Sequence, residues 1–170
     1  MKQLRSTLVV FFAIFAIALC SARFANAQTA IYGGFSGASV NSGPENASYG
    51  ALVGVYAQSG RYAYFGGDFR GSFLSRNGFN YFTFAVGPRL AFKPPVLPVR
   101  PYIEGLVGGA WYNSGRGTSS DSHVGYHVVA GLDWTLIPHL DWRVIDYDYS
   151  GNTGPTTAHV FSTGLALRLW

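Results

Sequence analysis

From position 28 onwards, apolar side chains occupy every second position in segment after segment of the chain. The clearest segment runs from His123 to Thr135, where six apolar or aromatic residues alternate with positions that include two histidines and an aspartate. A period of two is that of a β-strand with one apolar face, whereas an amphipathic helix repeats every 3.6 residues. Clusters of Gly, Pro, Asn and Ser separate the segments. The sequence therefore predicts an all-β protein.

Eight such segments follow one another along the chain. The predicted strands cover 29–38, 48–58, 61–71, 79–92, 100–112, 122–136, 140–150 and 157–170. Short connections such as Ser59–Gly60 alternate with longer polar ones such as Ser72–Gly78, and the Pro-rich turn 93–99 is expected to lie outside the sheet. Short turns at one rim and long loops at the other are typical of an antiparallel up-and-down barrel, with both chain ends at the short-turn rim.

Composition indicates whether the apolar face of these strands contacts water or lipid. Only 12% of the residues are charged, 16% are aromatic, and a single lysine follows residue 27. A water-exposed surface normally carries many more charges. The interior of an eight-stranded barrel is just wide enough for side chains, which suits the Gly, Ala, Ser and Thr of the opposite parity better than many Phe and Trp rings. The pattern favours a transmembrane barrel with lipid outside over a lipocalin-like soluble barrel.

Residues 1–27 have the pattern of a secretory signal peptide. A basic start precedes an apolar run of about 12 residues, 8–19, and Ala25-Asn26-Ala27 supplies a small-x-small cleavage site. The run is shorter than the roughly 20 residues that a membrane-spanning helix needs. We expect export, cleavage before Gln28, and one barrel domain over residues 28–170.

The charge of the chain is informative only after this leader is set aside. The full sequence has a net charge of +4, but three of its twelve basic side chains and its only cysteine lie before residue 28. Nine basic and eight acidic side chains remain. A nearly neutral chain offers no basic patch for nucleic acid, and without cysteine it must be stabilised by packing and backbone pairing.

The inward parity of the strands carries charges of both signs. Each charge buried in a narrow lumen is costly unless it is paired, so we expect a network of salt bridges and hydrogen bonds. The candidate members are Asp68, Arg70, Arg89, Glu104, His127, Asp133, Arg143 and Arg168. A static plug is the favoured interpretation, and a gate or ion path formed by exchange of partners is the alternative.

Three tryptophans mark the expected membrane interfaces. Trp111 lies near the long-loop end of its segment, whereas Trp134 and Trp142 lie near the short-turn end. All three share the apolar parity, as is typical of aromatic girdles. In the same segment as Trp142, Asp146 falls on the apolar parity, which predicts either a bulge near Ile145 or protrusion beyond the bilayer.

Three local motifs, together with the leader and a terminal aromatic residue, resemble one family. The motifs are Val86-Gly87-Pro88-Arg89-Leu90-Ala91-Phe92, Pro101-Tyr102-Ile103-Glu104-Gly105 and Trp142-Arg143-Val144-Ile145-Asp146-Tyr147-Asp148-Tyr149. Over nearly all of 28–170 the chain resembles the OmpA-like, opacity-type family of small outer-membrane β-barrels. The resemblance implies a location in the outer membrane, with outer-membrane lipid as a partner and with periplasmic chaperones and the barrel-insertion machinery acting during assembly.

The resemblance also implies a C-terminal insertion signal. Family members usually end in an aromatic residue that follows apolar residues at alternating positions. Trp170 supplies the aromatic residue, while Leu167 and Leu169 are apolar but one residue out of step with it. Recognition through Trp170 and recognition through Leu169 both remain open at this point.

Catalysis is the least favoured hypothesis for this sequence. Some eight-stranded outer-membrane barrels act on lipid A with His, Ser and a carboxylate, and the nearest pair here is His159 and Ser162. Their three-residue spacing places them on opposite faces of a strand. His123 and His127 share a face but lie about 13 Å apart along a strand, too far for one metal ion. We predict no catalytic residue, no metal and no cofactor.

The favoured function is a non-enzymatic barrel that anchors in the membrane and presents its loops to the surroundings. A low-conductance pore is the second hypothesis, and a lipid A-modifying enzyme is the third. The long loops are rich in Gly, Ser and Asn and identify no ligand.

Overall fold

The computed structural model describes residues 27–41, 47–76, 79–113, 121–154 and 156–169. These ranges contain eight β-strands: β1 Gln28–Val40, β2 Ser48–Gly60, β3 Ala63–Arg76, β4 Phe79–Phe92, β5 Val99–Asn113, β6 Asp121–Ile137, β7 Leu140–Asn152 and β8 Thr157–Arg168. Each strand pairs antiparallel with the next. β1 also pairs with β8, which closes the barrel and brings the start of β1 and the end of β8 to the short-turn rim. The predicted eight-stranded antiparallel up-and-down barrel is confirmed.

Parts of the chain for which predictions were made lie outside the described residues. They include the predicted signal peptide up to residue 26 and the terminal Trp170. Within the described ranges, no helix is long and apolar enough to cross a membrane.

Exposure follows the period of two along the strands. In β6, the Val128 side chain is 58% exposed whereas the neighbouring Val129 is 1% exposed. The exposed parity of the barrel carries Phe, Leu, Val and Trp, and the buried parity carries small residues, tyrosines and charges. The apolar face therefore points outward, where only hydrocarbon can bury it.

The observed bounds correct the prediction most clearly at β3. The predicted strand 61–71 is wrong at both ends, because residues 61 and 62 lie in the turn and the strand continues to Arg76. Ser72 begins a polar stretch that the sequence predicts as a loop. Its hydroxyl nevertheless hydrogen-bonds that of Thr83 across the β3–β4 pair at 2.7 Å. Phe73 beyond it is 49% exposed and continues the alternation. The other predicted strands agree with the observed ones within two residues at each end.

A bulge in β7 changes which side chains face the lumen. The register with β6 and with β8 shifts between Arg143 and Asp146. Ile145 is 46% exposed, and both Arg143 and Asp146 are buried. Of the two outcomes left open by the sequence, the bulge near Ile145 is the one observed, and it adds a carboxylate to the interior.

The Pro-rich turn between β4 and β5 lies outside the sheet, as predicted. Two backbone hydrogen bonds anchor it, from the Lys93 amide to the Tyr62 carbonyl at 2.7 Å and from the Thr135 amide to the Pro98 carbonyl at 2.8 Å. The turn is thus held against the β2–β3 turn on one side and against the end of β6 on the other.

Candidate functional site

The predicted lumen residues all lie on the inward face of the barrel. Seven of them are at most 4% exposed: Asp68, Arg70, Arg89, Glu104, His127, Asp133 and Arg143. The eighth, Arg168, lies at the short-turn rim and its side chain is 10% exposed. Five strands, β3 to β7, contribute the seven buried groups. The strand pairing explains their convergence, since inward positions of a closed barrel face one another across a narrow interior.

At mid-height these charges form what we call the central network. Its members are Asp68, Arg70, Arg89, Glu104, Asp133, Arg143 and Asp146, joined by ion pairs. Three arginines thus meet four carboxylates. Because water is excluded from the side chains, each charge depends on its partners to offset the cost of desolvation.

Arg70 connects opposite walls of the barrel. From β3, its guanidinium donates to Glu104 of β5 at 2.5 Å and, through both terminal nitrogens, to Asp146 of β7 at 3.1 and 3.2 Å. Two-nitrogen contact with one carboxylate gives a geometrically defined, strong interaction. The contact between β3 and β7 crosses the interior, so the lumen is bridged at this level.

Arg89 is completely enclosed within the central network. Its side chain is fully buried and donates to Glu104, to Asp133 at 3.0 Å and to the Gln58 side-chain oxygen at 3.3 Å. The guanidinium also lies over two aromatic rings, 3.8 Å from the Tyr102 centroid and 4.3 Å from the Tyr56 centroid. Stacking of this kind adds to the ion pairs when the site is dry.

Tyrosines add hydrogen bonds to two of the central carboxylates. The Tyr102 hydroxyl donates to Asp146 at 2.5 Å, and the Tyr32 hydroxyl donates to Asp68 at 2.7 Å. Arg143 lies over the Tyr32 ring at 3.9 Å and donates to Asp133 at 3.1 Å. Rings and guanidinium groups therefore fill the space that the small inward residues leave open.

Two further polar groups lie above and below the central network. Toward the long-loop rim, His127 contacts both carboxylate oxygens of Asp148 through Nδ1, at 3.0 and 3.1 Å. At the short-turn rim, Asp141 pairs with Arg100 at 3.5 Å and with Arg168 at 3.2 Å. The predicted candidates His127 and Arg168 therefore lie on opposite sides of the central network and belong to different groups.

An apolar layer lies in the lumen near the long-loop rim. It consists of Ala38, Val40, Leu74, Tyr81, Ala110, Ala158 and Val160, all buried. This layer follows the polar groups along the barrel axis. A charged layer and an apolar layer thus follow one another along the lumen.

Sequence reasoning missed four charged members of the interior: Arg100, Asp141, Asp146 and Asp148. The bulge near Ile145 places Asp146 and Asp148 on the inward face, against the parity set by Trp142. Arg100 shares the parity of Glu104 and Asp141 shares that of Arg143. The alternation was therefore the signal that could have placed both of them inside.

The aromatic and C-terminal candidates occupy the outer wall. Trp134 and Trp142 are direct partners across β6 and β7 and are 44% and 43% exposed. Trp111, at the other end of the wall, stacks on Phe84 with centroids 5.1 Å apart. Leu167 and Leu169 are 45% and 41% exposed, and their partner in the predicted insertion signal, Trp170, is outside the described residues.

The histidine and serine considered for catalysis are on opposite sides of the wall. Ser162 faces inward and its hydroxyl hydrogen-bonds that of Ser36 at 2.7 Å. His159 lies outside, where its Nδ1 hydrogen-bonds the Tyr147 hydroxyl at 2.8 Å. A base cannot take a proton from a hydroxyl that it does not reach. The described residues also hold no group of three or more potential metal ligands.

Comparisons with known proteins bear on the fold. No protein-family model and no curated protein matches the sequence. Neisserial surface protein A is 15% identical, with a TM-score of 0.58 over 85% of this chain and 99% of that chain. The attachment invasion locus protein Ail of Yersinia pestis is 17% identical, with a TM-score of 0.57 over 84% and 99% of the two chains.

A third solved structure extends the comparison. The N-terminal β-barrel domain of OprF from Pseudomonas aeruginosa is 11% identical, with a TM-score of 0.60 over 85% of this chain and all of that domain. Matches at such identities report architecture and not chemistry. The chain has the closed eight-stranded fold of the small outer-membrane β-barrels.

Proposed function

We propose that this protein is a non-enzymatic barrel of the outer membrane, which anchors there by its lipid-facing wall and presents its long loops outside. The observation that carries this proposal is the lumen: ion pairs bridge β3, β5 and β7 at mid-height. A lumen closed in this way leaves the two rims as the surfaces available for contact. The outer-membrane neighbours of the same fold support the location.

The contacts of the central network favour a static plug over a gate. Arg70, Arg89 and Arg143 each contact at least two carboxylates, so breaking one contact does not free the side chain to move. A gate needs an alternative arrangement of comparable energy. The apolar layer near the long-loop rim closes the same path a second time.

Planar-bilayer recording separates the anchor from the pore. We expect the reconstituted barrel to show no discrete conductance steps, because both the central network and the apolar layer obstruct the lumen. The double variant Leu74→Ser/Val160→Ser, which makes the apolar layer polar, is expected to stay closed because the central network is unchanged. Stable single-channel openings of the unmodified protein would contradict the plug.

Analysis of lipid A separates the anchor from the enzyme. We expect lipid A to keep its mass when the protein is produced in the outer membrane, because His159 and Ser162 face opposite sides of the wall. The measurement is mass spectrometry of extracted lipid A with and without expression. A mass change that disappears in His159→Ala would show that the outward histidine is catalytic.

A further inference from the structure

A groove of about 550 Å³ crosses the outer wall of the barrel from β2 to β5. Its floor is formed by Gly67, Pro88 and Gly105, and Phe65 and Phe69 stand beside it. The strand register places Gly67 opposite Pro88, so that the small residues lie in one row. A side chain added at Gly105 would meet no atom within 4 Å, and one at Gly67 would meet only a carbonyl oxygen at 3.7 Å. The depression is therefore open.

Proline in the middle of the sheet is the unusual feature of this groove. Pro88 has no N–H to donate, and the pairing of β4 with β5 is interrupted between Val86↔Val107 and Arg89↔Glu104. Proline is normally confined to edge strands or bulges. The interruption falls at the floor of the groove, where Gly67 and Gly105 carry no side chain and leave open space. An acyl chain in the groove would fill that space.

The rim directly below the groove carries two exposed cations. Arg61 lies in the β2–β3 turn and Lys93 follows β4. The Lys93 amide donates to the Tyr62 carbonyl at 2.7 Å, which holds the two turns together. Where the structure describes the side chain, every carboxylate of the protein is buried in the lumen. Asp141 lies at this rim but is buried against Arg100 and Arg168, so no carboxylate among the described side chains is exposed beside Arg61 and Lys93.

Groove and cations lie within the span of one lipid. Gly67 is five residues from Tyr62 in the rim turn, which is roughly 16 Å along a strand. A strand tilted by roughly 40° covers about 12 Å of depth over that length, which is less than half of the roughly 30 Å hydrocarbon core, so the groove lies in the half of the bilayer next to the short-turn rim. In bacterial outer-membrane barrels that rim is the periplasmic one.

We propose that this wall is a binding site for an anionic phospholipid of the periplasmic leaflet. Its phosphate would contact Arg61 and Lys93, and one acyl chain would lie in the groove. Charge complementarity selects this occupant: a zwitterionic lipid brings a cation to the same rim, and a second copy of the barrel would bring its own Arg61 and Lys93. Each basic residue near a membrane surface contributes enough attraction for a roughly fivefold preference for an anionic lipid.

Native mass spectrometry of the full barrel in detergent micelles tests this site. Phosphatidylglycerol and phosphatidylethanolamine with the same acyl chains are added together. We expect one phosphatidylglycerol to be retained, with a preference of roughly tenfold or more for two basic residues. The double variant Arg61→Gln/Lys93→Gln should lose the preference. Arg76→Gln, which removes a cation at the opposite rim, should keep it.

A second pair of variants tests the groove. Gly67→Leu/Gly105→Leu fills the floor without a backbone clash and should lower retention of both lipids. Gly33→Leu, on the outer wall of β1 with its nearest atom at 3.6 Å, should not. Heat-dependent gel mobility shows whether each variant is folded. If Gly67→Leu/Gly105→Leu does not fold, the charge variants alone test the proposal. Equal retention of the two lipids by the unmodified protein, or unchanged preference in the double charge variant, would overturn the proposal.

Discussion

Replacing Arg89 by alanine is expected to lower the free energy of unfolding by about 3–5 kcal/mol, the range for removing one partner of a buried ion pair. Glu104 and Asp133 would each lose a donor, and neither can reach water. The variant also loses the stack of the guanidinium on Tyr56 and Tyr102. Urea unfolding in lipid vesicles, followed by tryptophan fluorescence, measures the difference.

Two comparisons make this expectation specific. Arg61→Ala, at an exposed turn, is expected to change the stability by no more than about 0.5 kcal/mol. The double variant Arg89→Met/Glu104→Leu removes one charge of each sign and should lose less than the two single variants combined, because coupled sites are not additive. If Arg89→Ala has the same free energy of unfolding as the unmodified protein, water must replace the guanidinium, and the lumen is not a dry plug.

The fold was predictable because one simple rule holds along the whole chain. A closed barrel in lipid needs an apolar outer face on every strand, so each strand carries a readable period of two. The rule weakens where the strand leaves the hydrocarbon, and β3 shows the effect. Its last residues, from Ser72 to Arg76, are mostly polar and look like a loop, yet Ser72 pairs across the sheet with Thr83. Backbone pairing continues there, but on the outer face the apolar Phe73 is followed by the polar Ser75, which weakens the signal.

The central network was predictable in composition but not in its connections. Parity places Arg70 and Glu104 inside, but their contact depends on the closure and width of the barrel. The ion pair between Arg70 and Asp146 was harder still to predict, because the bulge near Ile145 reverses the parity of β7 after Arg143. One inserted residue moves every later side chain to the other face. Tyr102 was not identified from the sequence as a lumen residue, although it donates to Asp146 and stacks on Arg89.

The arrangement of the lumen also explains why the described part of the barrel exposes few charges. Arg70, Arg89 and Arg143 neutralise carboxylates inside, and among the described charged side chains Arg61 and Lys93 are exposed at the short-turn rim. A charge on the lipid-facing wall would have neither water nor a partner. The barrel thus has its charges inside and its apolar side chains outside, the reverse of a soluble protein. A charge placed on the outer wall tests this arrangement.

Arginine at Val128 is expected to destabilise the lipid-inserted barrel by about 2–4 kcal/mol, the cost of a basic side chain at the bilayer midplane. Val128 is 58% exposed at the middle of β6, between the long-loop end of the strand and Trp134. Val124 is on the same strand and face, 67% exposed and close to the long-loop rim. Because the cost falls to about 0–1 kcal/mol near the interface, Val124→Arg should be tolerated.

Reversible unfolding from vesicles measures both variants, and Thr83→Ser provides the inward comparison. Thr83 is 4% exposed and its hydroxyl hydrogen-bonds Ser72, so serine keeps the hydrogen bond and loses one methyl group, at a cost of about 1 kcal/mol. The difference between Val128→Arg and Val124→Arg depends only on depth, since strand, face and substitution are the same. Equal stability of those two variants would mean that water, and not hydrocarbon, surrounds the middle of this wall, because only a hydrocarbon layer makes the same charge costly at one height and tolerable 13 Å along the strand from it.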